Sequence, residues 1–113
     1  MHRRFADVLS CVRENGMDFM NLTTNGYLLT DELLHQIEDV GFNEVMLSVS
    51  LDSSDRLTHD LTRGRRGSFD RASHALSIIA SSRVPLTLGA VRSTVGPEQI
   101  DDMENLVRCA VDL

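Results

Sequence analysis

Residues 44–51 read Glu-Val-Met-Leu-Ser-Val-Ser-Leu and run directly into Asp52-Ser53-Ser54-Asp55. The first eight form a nearly continuous apolar run rich in β-formers. Such a run suits a strand of a parallel sheet covered on both faces. On its N-terminal side, Leu33, Leu34, Ile37 and Val40 recur at helical spacing. On its C-terminal side, Ala72, Leu76 and Ile79 do the same. A buried strand between two amphipathic helices is the repeating unit of a parallel α/β fold.

The pattern extends outward in both directions. Phe5, Val8, Leu9 and Val12 mark a helix that Asn15-Gly16 ends. A short strand over about 18–24 follows and stops at Thr24-Asn25-Gly26. Thr30 is placed to cap the next helix, with Asp31 and Glu32 at its positive end and Gly41 at its left-handed close. Beyond the central strand lies a polar stretch, 52–67, longer than an ordinary βα connection. Ser68 is the expected cap of the helix that follows. Pro85 opens a third strand over about 84–92, where a missing N–H is tolerated. Gly96-Pro97 opens a last helix, with Ile100, Met103, Val107 and Ala110 expected to face inward. The expected order is α-β-α-β-α-β-α. That is three parallel strands (about 18–24, 44–51 and 84–92) alternating with four helices, joined by right-handed crossovers in a single domain over residues 1–113. Three βα units amount to part of a TIM-type (β/α) barrel, and their two outer strand edges ask for partners.

Composition narrows the function. Hydrophobic residues make up 42% of 113, so the chain should fold around a core. A net charge of −6, with 4% aromatics and no Trp, argues against nucleic-acid partners. No apolar run is long enough to span a membrane, and the basic start Met1-His2-Arg3-Arg4 is not followed by a secretory apolar segment. A cytoplasmic location is the resulting expectation. The two cysteines, Cys11 and Cys109, both fall in expected helices and read as buried free thiols.

In parallel α/β folds ligands gather at the carboxyl ends of strands. Those ends are Thr23 to Gly26, Ser50 to Asp55, and Arg92 to Thr94. They carry hydroxyls, an amide and carboxylates that can bond a ribose, an amino group or a carboxylate. The same residue types also make turns and cap helices. In the 52–67 stretch, Arg63 could clamp a carboxylate through two parallel hydrogen bonds. His59-Asp60 suits proton transfer or, more simply, a cap or turn. Arg65-Arg66 reads as a solvated face.

Four segments taken together carry a resemblance: Thr-Asn-Gly-Tyr-Leu-Leu (24–29), Val-Ser-Leu-Asp-Ser (49–53), His-Asp-Leu-Thr-Arg-Gly (59–64) and Gly-Ser-Phe-Asp-Arg-Ala (67–72). Their order and spacing resemble the radical S-adenosylmethionine (SAM) family, and most closely its SPASM-type branch, which modifies peptides and proteins. The resemblance implies a partial or full (β/α) barrel in which these strands are the third to fifth. It also implies reductive SAM cleavage at a 4Fe–4S cluster, with SAM and an unidentified substrate as partners. Ser50 then matches a contact to the SAM ribose or methionyl part, Thr24 and Asn25 a motif facing SAM or substrate, and Asp52 and Arg63 the cofactor side of the fourth strand. The family's Cys-x-x-x-Cys-x-x-Cys loop and its Gly-Gly-Glu-Pro-like motif have no counterpart here. Two cysteines cannot supply three thiolates. The expectation is therefore an interior piece of such a core, holding part of the SAM and substrate cradle and inactive alone. The alternative is a non-catalytic α/β remnant that binds a partner or itself through its open strand edges.

Overall fold

Three parallel strands in the order β1-β2-β3 form the sheet, with the apolar 44–51 run at its centre. The computed structural model describes residues 4–82 and 87–112. Along the chain lie α1 (Phe5–Glu14), β1 (Phe19–Thr24), α2 (Asp31–Val40), β2 (Glu44–Ser50), α3 (Arg56–Arg63) and α4 (Ser68–Ser81). They are followed by β3 (Thr87–Arg92), a 3₁₀ helix (Pro97–Asp102) and α5 (Met103–Asp112). The architecture is α/β and consistent with part of a TIM-type barrel.

Register assigns the two faces of the sheet. Val45, Leu47 and Val49 lie beside Met20, Leu22 and Thr24 of β1 and beside Thr87, Gly89 and Val91 of β3. Val45, Leu47, Val49 and the following Leu51 are at most 2% exposed. Burying each such side chain is worth about 1.5–3 kcal/mol, so this strand anchors the core. α4 packs on this face so closely that a Cβ at Gly89 would sit 2.7 Å from Ile79 Cγ2. The opposite face carries Met46, Ser48 and Ser50, with Met46 and Ser50 only half-buried. The expectation of full cover on both faces is corrected accordingly: helices cover one face, and the other is the polar wall of an open barrel segment.

Local signals at several helix ends are realised. The Thr30 hydroxyl accepts the Leu33 N–H at 3.2 Å, and Gly41 closes α2 with φ of 84°. Other expectations change. The 52–67 stretch is not one long loop. It contains α3, capped by Asp55, whose carboxylate accepts the Thr58 N–H at 2.8 Å, so five α-helices replace four. Its apolar content is low, and the helix forms because Asp55 and Gly64 close its two ends. Ser68 is not the cap of α4. Gly67 holds that position, and the cap bonds come from Asp60 of α3, which accepts the Gly67 N–H at 2.7 Å and the Phe69 N–H at 2.8 Å. Pro85 and the expected start of the third strand lie outside the described residues. The final helix begins as a 3₁₀ segment. Ile100 and Val107 are 62% and 57% exposed, whereas Leu106 is the buried anchor of α5. On α1, Leu9 is buried while Val8 and Val12 face outward. Those apolar positions lie beyond the cover that a three-stranded sheet provides.

Candidate functional site at the strand carboxyl ends

At the end of β1 the chain turns on side-chain bonds. The Thr24 hydroxyl accepts the Gly26 N–H at 3.1 Å, and Asn25 Oδ1 accepts the Tyr27 N–H at 3.1 Å. Both acceptors are thus used locally. The Thr24 hydroxyl proton and the Asn25 amide NH₂ make no hydrogen bond to a described residue. Gly26 has φ of 86°, and a Cβ there would lie 2.8 Å from the Arg71 carbonyl oxygen. Only glycine lets this loop lie against α4.

The end of β2 is knitted more tightly. Asp52 is 5% exposed. Its N–H donates to His59 Nδ1 at 3.1 Å, its Oδ1 accepts the Thr94 N–H at 3.1 Å, and its Oδ2 lies 2.8 Å from Arg63 Nε. One carboxylate thereby joins the ends of β2 and β3 to α3. Because His59 Nδ1 accepts a hydrogen bond, the ring is neutral with its hydrogen on Nε2. Burial pushes the His59 pKa below the ordinary imidazole value. The Arg63 charge adds to that, and Asp52 and Asp60 act against it. The terminal nitrogens of Arg63 make no hydrogen bond to a described residue, so they remain available to a ligand.

Asn25, Tyr27, His59, Arg63, Arg65 and Ser68 line a cavity of about 210 Å³ between the β1 and β2 loops. The Arg65 guanidinium stacks 4.2 Å over the Tyr27 ring, and the Tyr27 hydroxyl is 3.4 Å from Ser68 Oγ. Two guanidinium groups and a free amide NH₂ make a donor-rich wall suited to a carboxylate or another small anion. Arg65 and Arg66 are exposed, as expected of a solvated face, and Arg65 in addition borders this cavity. The Gly64 C-terminal turn (φ of 67°) bends the chain back over the helix it ends, and sequence spacing alone does not display that bend.

Of the residues singled out from the sequence, Asn25 and Arg63 share this cavity, and Asp52 stands behind Arg63. Thr24 lines a neighbouring cleft of about 530 Å³ with Phe5, Leu22 and Thr23. Ser50 lies in neither. It sits on the polar sheet face, in register with Arg92. His59 and Asp60 take the bland role foreseen for them, as turn and cap. Tyr27 and Ser68 entered the sequence reading only as members of the 24–29 and 67–72 segments, Ser68 also as a helix cap, because a single hydroxyl does not show that it lines a cavity.

Asp102 forms a second polar knot, accepting from Ser53 Oγ at 2.9 Å, Ser54 N–H at 2.9 Å and Ser54 Oγ at 2.5 Å. These bonds tie the start of α5 to the loop after β2 and hold the Asp102 carboxyl below the usual carboxylate range, with Ser54 Oγ as the leading cause. A further cavity, of about 660 Å³, runs along β3 and reaches Ser93 at its carboxyl end. It is an apolar groove between α4, β3 and α5, lined by Leu76, Ile79, Val91, Leu106 and Val107.

Metal-ligating groups are sparse. Cys11 is exposed on α1, contrary to the expected buried thiol, and Cys109 is half-buried on α5. Both are free. Burial, with Asp112 and Asp102 nearby, raises the Cys109 pKa and keeps it a thiol. Among the described residues no group of three or more His, Cys, Asp or Glu is placed to hold a metal ion. Among them, too, no helix is long and apolar enough to cross a membrane.

The model of the Radical SAM superfamily matches residues 1–110. The chain belongs to the radical SAM superfamily. Curated relatives agree. Over 95 residues the chain is 32% identical to the PqqA peptide cyclase of Ruegeria pomeroyi, covering 84% of this chain and 24% of the relative. It is 29% identical over 92 residues to the AdoMet-dependent heme synthase of Methanosarcina barkeri, covering 81% and 25%. It is 27% identical over 92 residues to the sporulation killing factor maturation protein SkfB of Bacillus subtilis, covering 80% and 21%. The chain thus spans about a quarter of the length of the radical SAM proteins it matches.

Proposed function

We propose that these residues form one wall of the SAM and substrate cradle of a radical SAM core. The observation that carries this reading is the cavity in which the free donors of Arg63 and Asn25 meet. In it, Arg63 clamps the methionyl carboxylate of SAM and the Asn25 amide donates to SAM or substrate, while the Thr24 hydroxyl donates from the adjoining cleft. The Ser50 hydroxyl bonds the ribose or methionyl part. Asp52 acts through Arg63, since both its oxygens are already engaged. The group the family uses for chemistry is a 4Fe–4S cluster that cleaves SAM reductively. The donor set here does not fit it, with two cysteines in 113 residues, one exposed on α1 and one a protonated thiol on α5. The cluster ligands and the reaction therefore belong to a parent assembly of which these residues are a part. A peptide or protein substrate is favoured by two relatives named for a peptide cyclase and a killing-factor maturation protein.

Equilibrium dialysis with SAM tests the cradle. Wild-type chain is expected to bind, and Arg63→Lys, which keeps charge but loses the planar fork, is expected to bind about tenfold more weakly. Equal binding by both would refute the clamp. Anaerobic reconstitution with iron and sulfide is expected to leave no bound cluster, and stoichiometric 4Fe–4S absorbance would overturn the assignment of its ligands elsewhere.

A second reading is supported by the sheet edges. The apolar groove beside β3 and the exposed Val107 and Val111 favour self-association of the chain, with or without SAM.

A further inference from the structure

α3 is inverted with respect to ordinary burial preferences. Its leucines, Leu57 and Leu61, are 68% and 73% exposed, while His59 is 1% exposed. Leucine gains more from burial than histidine, so the helix is not oriented by hydrophobicity. Its inward face holds His59 and, one turn on, Arg63. What His59 supplies there is an acceptor. The Asp52 N–H at the end of β2 is buried and finds its partner in His59 Nδ1, and an apolar side chain in its place would leave that N–H unsatisfied. The edge of Phe69, with centroids 6.0 Å apart and planes at 74°, holds the ring from the α4 side.

We propose that His59 is a positioning residue for Arg63. By accepting a hydrogen bond from the Asp52 N–H it fixes the turn that presents Asp52 Oδ2 to Arg63 Nε, which leaves the terminal nitrogens of Arg63 free for a ligand carboxylate. The geometry is a relay of three contacts: Asp52 N–H to His59 Nδ1 at 3.1 Å, Asp52 Oδ2 to Arg63 Nε at 2.8 Å, and His59 with Arg63 in one cavity wall. The relay requires a neutral ring. Protonated Nδ1 would point a hydrogen at the Asp52 N–H and break the contact. The charged groups facing the ring are Asp52 from the β2 loop and Asp60 and Arg63 on α3 itself, while Phe69 brings no charge from α4. Recognition of a carboxylate at Arg63 therefore becomes sensitive to acid through His59. The ligand part of this inference rests on the SAM reading of Arg63, whereas the positioning part does not.

The test uses the full chain as wild type, His59→Asn and His59→Phe. Asn keeps an acceptor near the Nδ1 position, and Phe keeps bulk alone. The Arg63 Nε–H resonance, assigned by its loss in Arg63→Lys, is followed by NMR for protection from solvent exchange, and SAM binding is measured by equilibrium dialysis. Wild type is expected to show a protected Nε–H, with SAM affinity steady near neutral pH and falling only as pH drops below about 6.5, the ordinary imidazole value beneath which burial holds His59. His59→Asn is expected to keep both the signal and the affinity with a flat pH profile. His59→Phe is expected to lose the protection and bind about tenfold more weakly. Protected Nε–H and wild-type affinity in His59→Phe would overturn the proposal. If His59→Phe fails to fold, loss of Nε–H protection in folded His59→Asn would overturn it equally. Absence of SAM binding in wild type, with the Nε–H pattern as expected, would sink the SAM reading and leave the positioning of Arg63 standing.

Discussion

Gly26 and Asp60 illustrate how a residue's role at this site comes from its neighbours. Gly26 combines a positive φ with backbone from α4 where a Cβ would lie. Gly26→Ala is expected to cost about 2 kcal/mol or more, from left-handed strain plus overpacking, read as a lower denaturation midpoint in urea. The cost should be smaller for Gly16→Ala, which keeps the left-handed strain (φ of 88°) but whose Cβ would meet nothing within 4 Å. Asp60 looks like an acid–base partner for His59 in the sequence, yet its two oxygens cap α4. These backbone bonds, Phe69 first, hold its pKa below the ordinary carboxylate value. Asp60→Ala is expected to speed amide exchange in the first turn of α4 while leaving β2 protected. Equal exchange in both proteins would show that the cap is dispensable. The Thr-Asn-Gly motif was legible as a strand end because Thr, Asn and Gly are turn formers. Which of its polar atoms stay free was not, since that depends on partners from Gly26 and Tyr27.

At the element scale, β2 and the ends of α2 could be read directly. A continuous apolar run, a Thr cap and a closing Gly act through nearest neighbours. α3 was missed because it is short and polar: Leu57 and Leu61 recur at helical spacing, but they are the only apolar residues between the Asp55 cap and the Gly64 close. α5 was placed correctly but its facing was not, because a 3₁₀ start changes the rotation at which Ile100 and Val107 emerge. That same segment is fastened by Asp102 to Ser53 and Ser54. The Asp102 carboxyl pKa is depressed in the folded chain, so its stabilising contribution is present above the unfolded carboxylate range. It is lost as pH falls from about 4 through the lower folded value. Hydrogen exchange of α5 is expected to accelerate in that window before that of β2, and Asp102→Asn should produce the faster exchange at neutral pH. Simultaneous loss of α5 and β2 protection would show that the knot is not a separable fastening.

At the scale of the whole molecule, the sheet has two outer strands and an apolar groove beside one of them. Neither β1 nor β3 carries the Pro or Lys that commonly guards an edge. Sedimentation velocity is expected to show concentration-dependent association, reduced in Val107→Glu, which places a charge on an exposed position lining the groove. A monomer across the concentration series would remove the self-association reading. The sequence by itself determined the α/β alternation, the central strand, the family, and the shortage of cysteines. Each of these is written in local periodicity, motif order or a count, and none requires knowing what touches what. Only the tertiary structure decided that Asp52 is spent on Arg63 and Thr94, that Arg65 lies over the Tyr27 ring, and that His59 rather than Leu57 or Leu61 is buried. Those outcomes depend on groups that are far apart in the chain meeting at the strand ends, where satisfying buried N–H donors outweighs burying one more leucine.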